Sequence, residues 1–337
     1  MEDKKTIQGA LEKIRKSYAV AKKAELTEIV KKGYLSNNFI LRSDEKKLFL
    51  KQYRFDDIEK IKEVHRVKFF FSDGGIPIIL PIRNNEGDFI FEDAGKLYSL
   101  FPFIEGRIIR KEERSQKAFA SAGEMLGRIH ILSKDSCPHI TDCYGREWDK
   151  KEFLVRAGAM KERVEKNTER TNFNKMALKT INLKISLAEG NNVRYEDLEL
   201  KKDHIIHGDY HGQNIFYDNN DEVSYVFDIE KTEISSRILE IARTIDYMCF
   251  SNNYKVKNFN DARIFLSAYN KVYPFCAEEL TRGIEAYYIK KAHSIWIEEE
   301  HYTNNNFRVD CFLEGEFLML SYYSKNFKNF TDRLTNI

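Results

Sequence analysis

The stretch His207-Gly208-Asp209-Tyr210-His211-Gly212-Gln213-Asn214, followed by Tyr225-Val226-Phe227-Asp228-Ile229-Glu230, carries the densest set of groups able to do chemistry. A short apolar lead, Ile205-Ile206, runs into a polar loop that presents Asp209 and Asn214. A hairpin around the turn Asp218-Asn219-Asn220-Asp221 then returns with Asp228. Two carboxylates and a carboxamide are so brought toward one point. Metal-assisted phosphoryl transfer uses such a set: one carboxylate orients an attacking hydroxyl and accepts its proton, while an amide oxygen and a second carboxylate hold magnesium against the phosphates. A cation for those phosphates is available at Lys51, in the apolar run Leu48-Phe49-Leu50-Lys51-Gln52-Tyr53. An apolar strand that turns one Lys inward must give it an anionic partner.

The elements that position these groups follow from periodicity. Ile7, Leu11 and Ile14 share a helical face, and strand-like runs follow at Ala24 to Lys32, Phe39 to Arg42 and Lys47 to Tyr53. The last two flank the turn Ser43-Asp44-Glu45-Lys46 and read as a hairpin. Ile58, Ile61, Val64, Val67, Lys68 and Phe71 fall at helical spacing until Gly74-Gly75 stops the helix. Ile76 to Ile82, Asp88 to Glu92 and Lys96 to Phe103 read as further strands. After Gly106 the pattern turns helical: Gln116 to Leu132 with Ala118, Ala122, Met125, Leu126 and Ile129 inward, Lys150 to Ala188, and nearly everything from Arg237 onward. Asn214 to Tyr217 and Val223 to Phe227 are the strands of the second hairpin.

Composition narrows the function. With 55 Lys plus Arg against 53 Asp plus Glu the formal charge is +2, too little cationic surplus for a dedicated nucleic-acid binder. Hydrophobic residues at 42% and charged residues at 32% suit a globular chain. No run reaches the roughly 20 apolar residues of a membrane helix. The charged start MEDKKTIQGALEK lacks a secretory core, so a cytoplasmic location is expected. The five cysteines form no C-x-x-C pair and read as reduced, mostly buried thiols. Cys137, His139 and Cys143 lack zinc-type spacing.

The H-G-D-x-x-x-x-N loop followed by an apolar strand ending in D-x-E resembles the aminoglycoside phosphotransferase and choline kinase superfamily, small-molecule kinases with a protein-kinase-like fold. Type II homoserine kinases and spore-coat kinase-like proteins are similar too. His207-Gly208-Asp209 stands where protein kinases carry H-R-D, and there is neither D-F-G nor A-P-E. The resemblance implies an α+β fold of two lobes: a small β-rich nucleotide-binding lobe over 1–104 and a larger, mostly helical catalytic and acceptor-binding lobe over 105–337. It implies Asp209 as catalytic base, Asn214 and Asp228 as magnesium ligands, and Lys51 on the α- and β-phosphates of ATP, with GTP the alternative nucleotide. Glu63, ahead of Glu59, is the expected helix partner of Lys51. Ser36 and Asn37, in the loop Gly33-Tyr34-Leu35-Ser36-Asn37-Asn38, correspond to phosphate-covering positions. Phe101 and Phe103, in Ser99-Leu100-Phe101-Pro102-Phe103-Ile104-Glu105-Gly106, lie at the hinge, where backbone groups meet the adenine edge.

Three departures accompany these matches. Val64 stands where many relatives place the helix Glu, Gly212 where many have Pro, and Glu240 replaces the Asp of the L-x-D-L-A element, whose carboxylate braces the catalytic loop. Gly212 implies a less rigid loop. His130 and His207 read as structural. Toward the C-terminus, Tyr287, Tyr288, Trp296, Glu298, Glu299, Glu300, His301 and Tyr302 combine acids with aromatics, which suits a cationic or zwitterionic acceptor such as an aminoglycoside, choline or homoserine. The expected activity is transfer of the γ-phosphoryl group to a hydroxyl of a small, amine-bearing molecule. The competing reading is a kinase-fold binding or structural protein without transfer. Oligomeric state is open.

Overall fold

The computed structural model describes residues 2–30, 36–134, 147–167, 171–251 and 253–335. The loop residues Gly33, Tyr34 and Leu35, and Cys137, His139 and Cys143, lie outside them. The chain forms an antiparallel sheet region followed by a helical region, an α+β arrangement. Two compact units emerge: described residues of 1–108 with 213–232, and described residues of 109–212 with 233–337.

In the first unit α1 (Glu2–Ser17) precedes β1 (Glu25–Val30), β2 (Ser36–Ser43) and β3 (Lys46–Tyr53), then α2 (Ile58–Asp73), β4 (Phe91–Asp93) and β5 (Lys96–Pro102). The strands order as β1-β2-β3-β5-β4, all antiparallel. Asp44, at φ 52°, makes the β2–β3 turn in the left-handed region that Asp tolerates. Ile7, Leu11 and Ile14 of α1 pack with Phe39, Leu41, Leu48, Leu50 and Leu100 on one sheet face. Strand alternation puts Leu48 and Leu50 on that face and Phe49, Lys51 and Tyr53 on the other. Asp57 caps α2 by accepting from Lys60 N–H, and Gly74 ends it.

Ile76 to Ile82 does not form the expected strand. Pro77 and Pro81 supply no N–H to a ladder, so pairing there reduces to a single bridge, Ile78 with Val226. That bridge ties in the hairpin of β7 (Ile215–Tyr217) and β8 (Val223–Val226), which belongs to this unit despite its place far along the chain. Val226 N–H donates to Pro77 O, and Tyr217 N–H to Arg107 O. Gly106 has to be a glycine, since a Cβ would sit 2.1 Å from Phe216 Cγ.

The second unit holds α3 (Gln116–Ser133), α4 (Lys150–Lys166), α5 (Asn172–Gly190), α6 (Arg237–Ile245), α7 (Val256–Val272), α8 (Ala277–Ala292), α9 (Trp296–Tyr302) and α10 (Leu313–Thr335). The single helix expected over Lys150 to Ala188 is two, because Asn167 is extended and Thr171 starts a new helix by capping Asn174 N–H. A short strand pair, β6 (His204–Ile206) with β9 (Glu233–Ser235), carries the loop of interest. Among the described cysteines Cys249 is buried, but Cys276 and Cys311 are exposed, against the expectation of burial. No described helix is long and apolar enough to cross a membrane.

Candidate active site

The β7–β8 hairpin positions two of the expected residues. Asn214 directly precedes β7 and Asp228 lies just beyond β8, and Phe227 N–H donates to Asn214 O at 3.1 Å across the open end. Asp228 has φ 61°, a left-handed conformation whose cost the hairpin and its ion pair must offset. Lys51 reaches the same place from β3, with Nζ 2.9 Å from Asp228 Oδ1. The Asp228 side chain is 46% exposed, whereas that of Lys51 is 8% exposed. Asp228 therefore keeps an open flank where Lys51 does not.

The helix partner of Lys51 is not the expected one. Glu63, buried on α2, ion-pairs with Lys60 at 3.8 Å and Arg66 at 4.0 Å on its own helix. The carboxylate that meets Lys51 besides Asp228 is Glu230, at 2.7 Å and almost fully buried. Lys68 of α2 approaches the same Glu230 Oε1 at 3.5 Å. The second acid of the D-x-E signature was the available signal for Glu230. Burial alone would lower the Lys51 pKa, but the Asp228 and Glu230 carboxylates outweigh it and hold the ammonium above its ordinary range. For Glu230, burial pushes upward, and the two lysines overcome it and keep the carboxylate well below its usual range.

Ser36 and Asn37 open β2 rather than standing in a loop, paired with Tyr53 and Gln52. Ser36 Oγ donates to Asn38 Oδ1, and Asn37 donates to Gln52 Oε1 while accepting from Arg54. Phe101 is buried beneath Lys68, its ring centroid 5.4 Å from the ammonium. Phe103 N–H donates to Lys47 O at 3.3 Å.

In the second unit the loop after β6 presents Asp209. Gly208 turns it at φ 77°, a conformation that suits glycine. His207, fully buried, accepts Asp209 N–H on Nδ1. Beneath them lies Glu240 of α6, whose carboxylate accepts His207 N–H at 3.0 Å, Gly208 N–H at 2.6 Å and His130 Nε2–H at 2.8 Å. Burial pushes the Glu240 pKa up, but the His130 hydrogen bond and the other donors bring it below the ordinary value. His130, also paired with the Tyr269 hydroxyl, is structural, as its place in a buried helix predicts. Asp209 Oδ1 accepts from Arg243 Nη2, and His211 Nε2 lies 3.4 Å away. Arg243 lies over the Tyr247 ring. The sequence carried no sign of Arg243, which needs the turn of α6 to reach the loop.

Gly212 has a stricter reason than loop flexibility. A Cβ there would fall 1.9 Å from Arg114 Nη2, and Arg114 is held by Ile109 O and Met248 O. The acidic and aromatic residues nearer the C-terminus have partners within the chain. Glu298 pairs with the buried Lys184, Glu299 with Arg156, Glu300 accepts from Asn304 and Asn306, and His301 pairs with Asp310. Tyr287 donates to Asp246, and Trp296 packs against an apolar cluster.

The first unit thus pairs an inward lysine with a hairpin aspartate, and the second braces the loop that carries Asp209 with a helix. Residues 27–274 match the Phosphotransferase enzyme family, and the chain belongs to it. Homoserine kinase of Methylobacillus flagellatus is 22% identical over 247 residues, covering 73% of this chain and 70% of that protein. The fold is shared with spectinomycin phosphotransferase in complex with ADP and spectinomycin, at a TM-score of 0.66, 15% identity and coverage of 97% and 98% of the two chains. It is shared with a microcompartment-associated aminopropanol kinase (TM-score 0.60, 12% identity, 95% and 98% covered). Choline kinase from Cryptosporidium parvum also has it (TM-score 0.56, 14% identity, 97% and 99% covered).

Proposed function

We propose that this phosphotransferase moves the γ-phosphoryl group of ATP to a hydroxyl of a small, amine-bearing molecule, with magnesium as the metal. The observation that carries the proposal is the 2.9 Å ion pair between Lys51 and Asp228, residues 177 positions apart in sequence. Relatives named for spectinomycin, aminopropanol, choline and homoserine support a nitrogen-bearing alcohol as acceptor, and the complex with ADP supports nucleotide use. In this reading residues 1–104 bind nucleotide, while 105–337 supply catalysis and acceptor contacts.

The donor chemistry fits magnesium. One carboxylate with an open flank and one amide are hard oxygen ligands, and magnesium is commonly held by one or two carboxylates together with substrate phosphates. Among the described residues no group of three or more His, Cys, Asp or Glu is disposed to form a cage by itself. Asp228 and Asn214 would hold the ion, which when bound neutralises phosphate charge. Lys51 exchanges its Asp228 contact for phosphate oxygens. Ser36 and Asn37, at the start of β2, are assigned to the phosphates, and the backbone near Phe101 and Phe103 to the adenine edge. Asp209 orients the acceptor hydroxyl and takes its proton. The acceptor oxygen bonds to Pγ as the bond from Pγ to the β-bridging oxygen breaks, and ADP leaves with that electron pair. Arg243 holds the Asp209 carboxylate in place, and Glu240 fixes the backbone on which it stands.

A transfer screen with labelled ATP and magnesium across aminoglycosides, choline, ethanolamine, homoserine and sugar alcohols tests the proposal, with labelled product as the readout. At least one acceptor is expected to be phosphorylated. Asp209→Asn is expected to lower kcat by about 10²–10⁴-fold, the range of a lost general base, with nucleotide still bound. A folded protein that shows no thermal shift with millimolar ATP and magnesium, and yields no product, would favour the non-catalytic reading.

A further inference from the structure

Lys68 occupies a position where an apolar residue would be expected. Its helical neighbours Val64, Val67 and Phe71 are fully buried, and its own side chain is 4% exposed. A buried ammonium is costly unless compensated. What surrounds it is the Phe101 ring on one side and Glu230 Oε1, 3.5 Å away, on the other. The unit therefore carries two lysines and two carboxylates together: Lys51 and Lys68, Asp228 and Glu230. The resting charge balances.

Nucleotide binding breaks that balance unevenly. On the reading proposed above, on which this inference rests, Lys51 is drawn to the phosphates and Asp228 to the metal. Asp228, with its open flank, exchanges one cation for another. Glu230, 3% exposed, has no solvent to turn to, and a buried carboxylate stripped of its counter-ion is strongly disfavoured. If Lys51 were its sole partner, Glu230 would oppose the movement that nucleotide binding requires. We propose that Lys68 is a positioning residue for the nucleotide, acting through Glu230: it is the resident counter-ion that lets Lys51 leave. The arrangement differs from a helix glutamate that simply grips the strand lysine, since here the helix supplies a cation and the acid comes from the segment after β8.

The test measures binding of the non-hydrolysable analogue AMP-PNP with magnesium, and KM and kcat for ATP, in the full-length chain. Lys68→Met is expected to weaken AMP-PNP binding and to raise KM for ATP by about tenfold or more, with kcat changed less than about threefold because no reacting atom is touched. Lys68→Arg, which keeps the charge, is expected to stay within about threefold of the native protein in binding. In a Glu230→Gln background, where no buried anion remains to be compensated, Lys68→Met is expected to leave affinity unchanged or to improve it. This second comparison decides the matter if Lys68→Met alone does not fold. Lower thermal stability with native AMP-PNP affinity, or a tenfold loss in both backgrounds, would show that Lys68 only supports the helix and would overturn the inference. Failure of the native protein to bind AMP-PNP would instead remove the kinase reading on which the role depends.

Discussion

At the scale of single residues, the candidate site rests on carboxylates whose neighbours define different duties. Glu240 shows this best. Its three donors are two loop N–H groups and the imidazole of His130. The family's Asp at this position is one methylene shorter, which here would withdraw the carboxylate by about 1.5 Å from donors at 2.6–3.0 Å. Glu240→Asp is therefore expected to impair this chain even though it restores the family's residue. The loss should be roughly 2–4 kcal/mol of stability, from buried donors left unsatisfied, with a drop in kcat as the loop bearing Asp209 loosens. Thermal unfolding and labelled-product assays check it, and native values for both would show that the loop does not depend on this brace. Asp209, Asn214 and Asp228 stood out through the H-G-D-x-x-x-x-N and D-x-E pattern and Lys51 as an inward lysine on an apolar strand, and the fold pairs Lys51 with Asp228. Glu230 was legible as the end of D-x-E but not as the partner of Lys51, because that pairing depends on where the hairpin docks. Arg243 carried no signal, since one charged side chain in an amphipathic helix looks like any other, whereas Lys68 showed itself only as a cation on the apolar face of α2, without its partner.

At the scale of elements, α2 and α3 were readable to within a residue or two from apolar spacing, and the β2–β3 hairpin from its turn residues, although β2 begins at Ser36, three residues before the apolar run shows it. What was not readable depended on local exceptions. Prolines broke the ladder over 76–82, Thr171 restarted a helix within one charged run, and β9 is too short to show a period. Glycines in helices make a sharper test, because sequence alone treats them as equivalent. A Cβ on Gly123 of α3 would lie 2.2 Å from the Phe265 carbonyl oxygen of α7, a clash with backbone that neither helix can relieve by a rotamer change. A Cβ on Gly158 of α4 would meet nothing within 4 Å. Gly123→Ala is expected to cost about 2–3 kcal/mol, and Gly158→Ala to add about 0.5–1 kcal/mol by helix propensity. Denaturant unfolding of the two variants checks the opposite signs.

At the scale of the whole molecule, the near-neutral charge hides buried ionisable groups that make stability depend on pH. Burial lowers the His65 pKa to about 3 and that of His204 to about 4, and lowers His130 as well. Each is bound neutral in the folded chain, so the unfolded chain takes up protons first as the pH falls below 6.5. Their contribution is complete above that value and is lost on acidification. Between pH 6.5 and 5 the native protein is expected to lose about 1.6 kcal/mol more than His65→Gln does, because the slope grows from half of about 1.4 kcal/mol per pH unit at pH 6.5 to nearly all of it at pH 5. Equal losses of unfolding free energy for the two proteins, from denaturant titrations at both pH values, would sink this. The hairpin at 213–232 has a temporal consequence as well. The first hundred residues supply Lys51 on β3 and Lys68 on α2 long before the ribosome has translated the acids that compensate them. A nascent chain halted ahead of residue 228 would hold two ammonium groups with neither of the carboxylates that meet them in the native fold. Completion of the sheet unit is thus postponed until more than half the polypeptide has been synthesised, and a fragment ending at residue 108 is a poor candidate for autonomous folding.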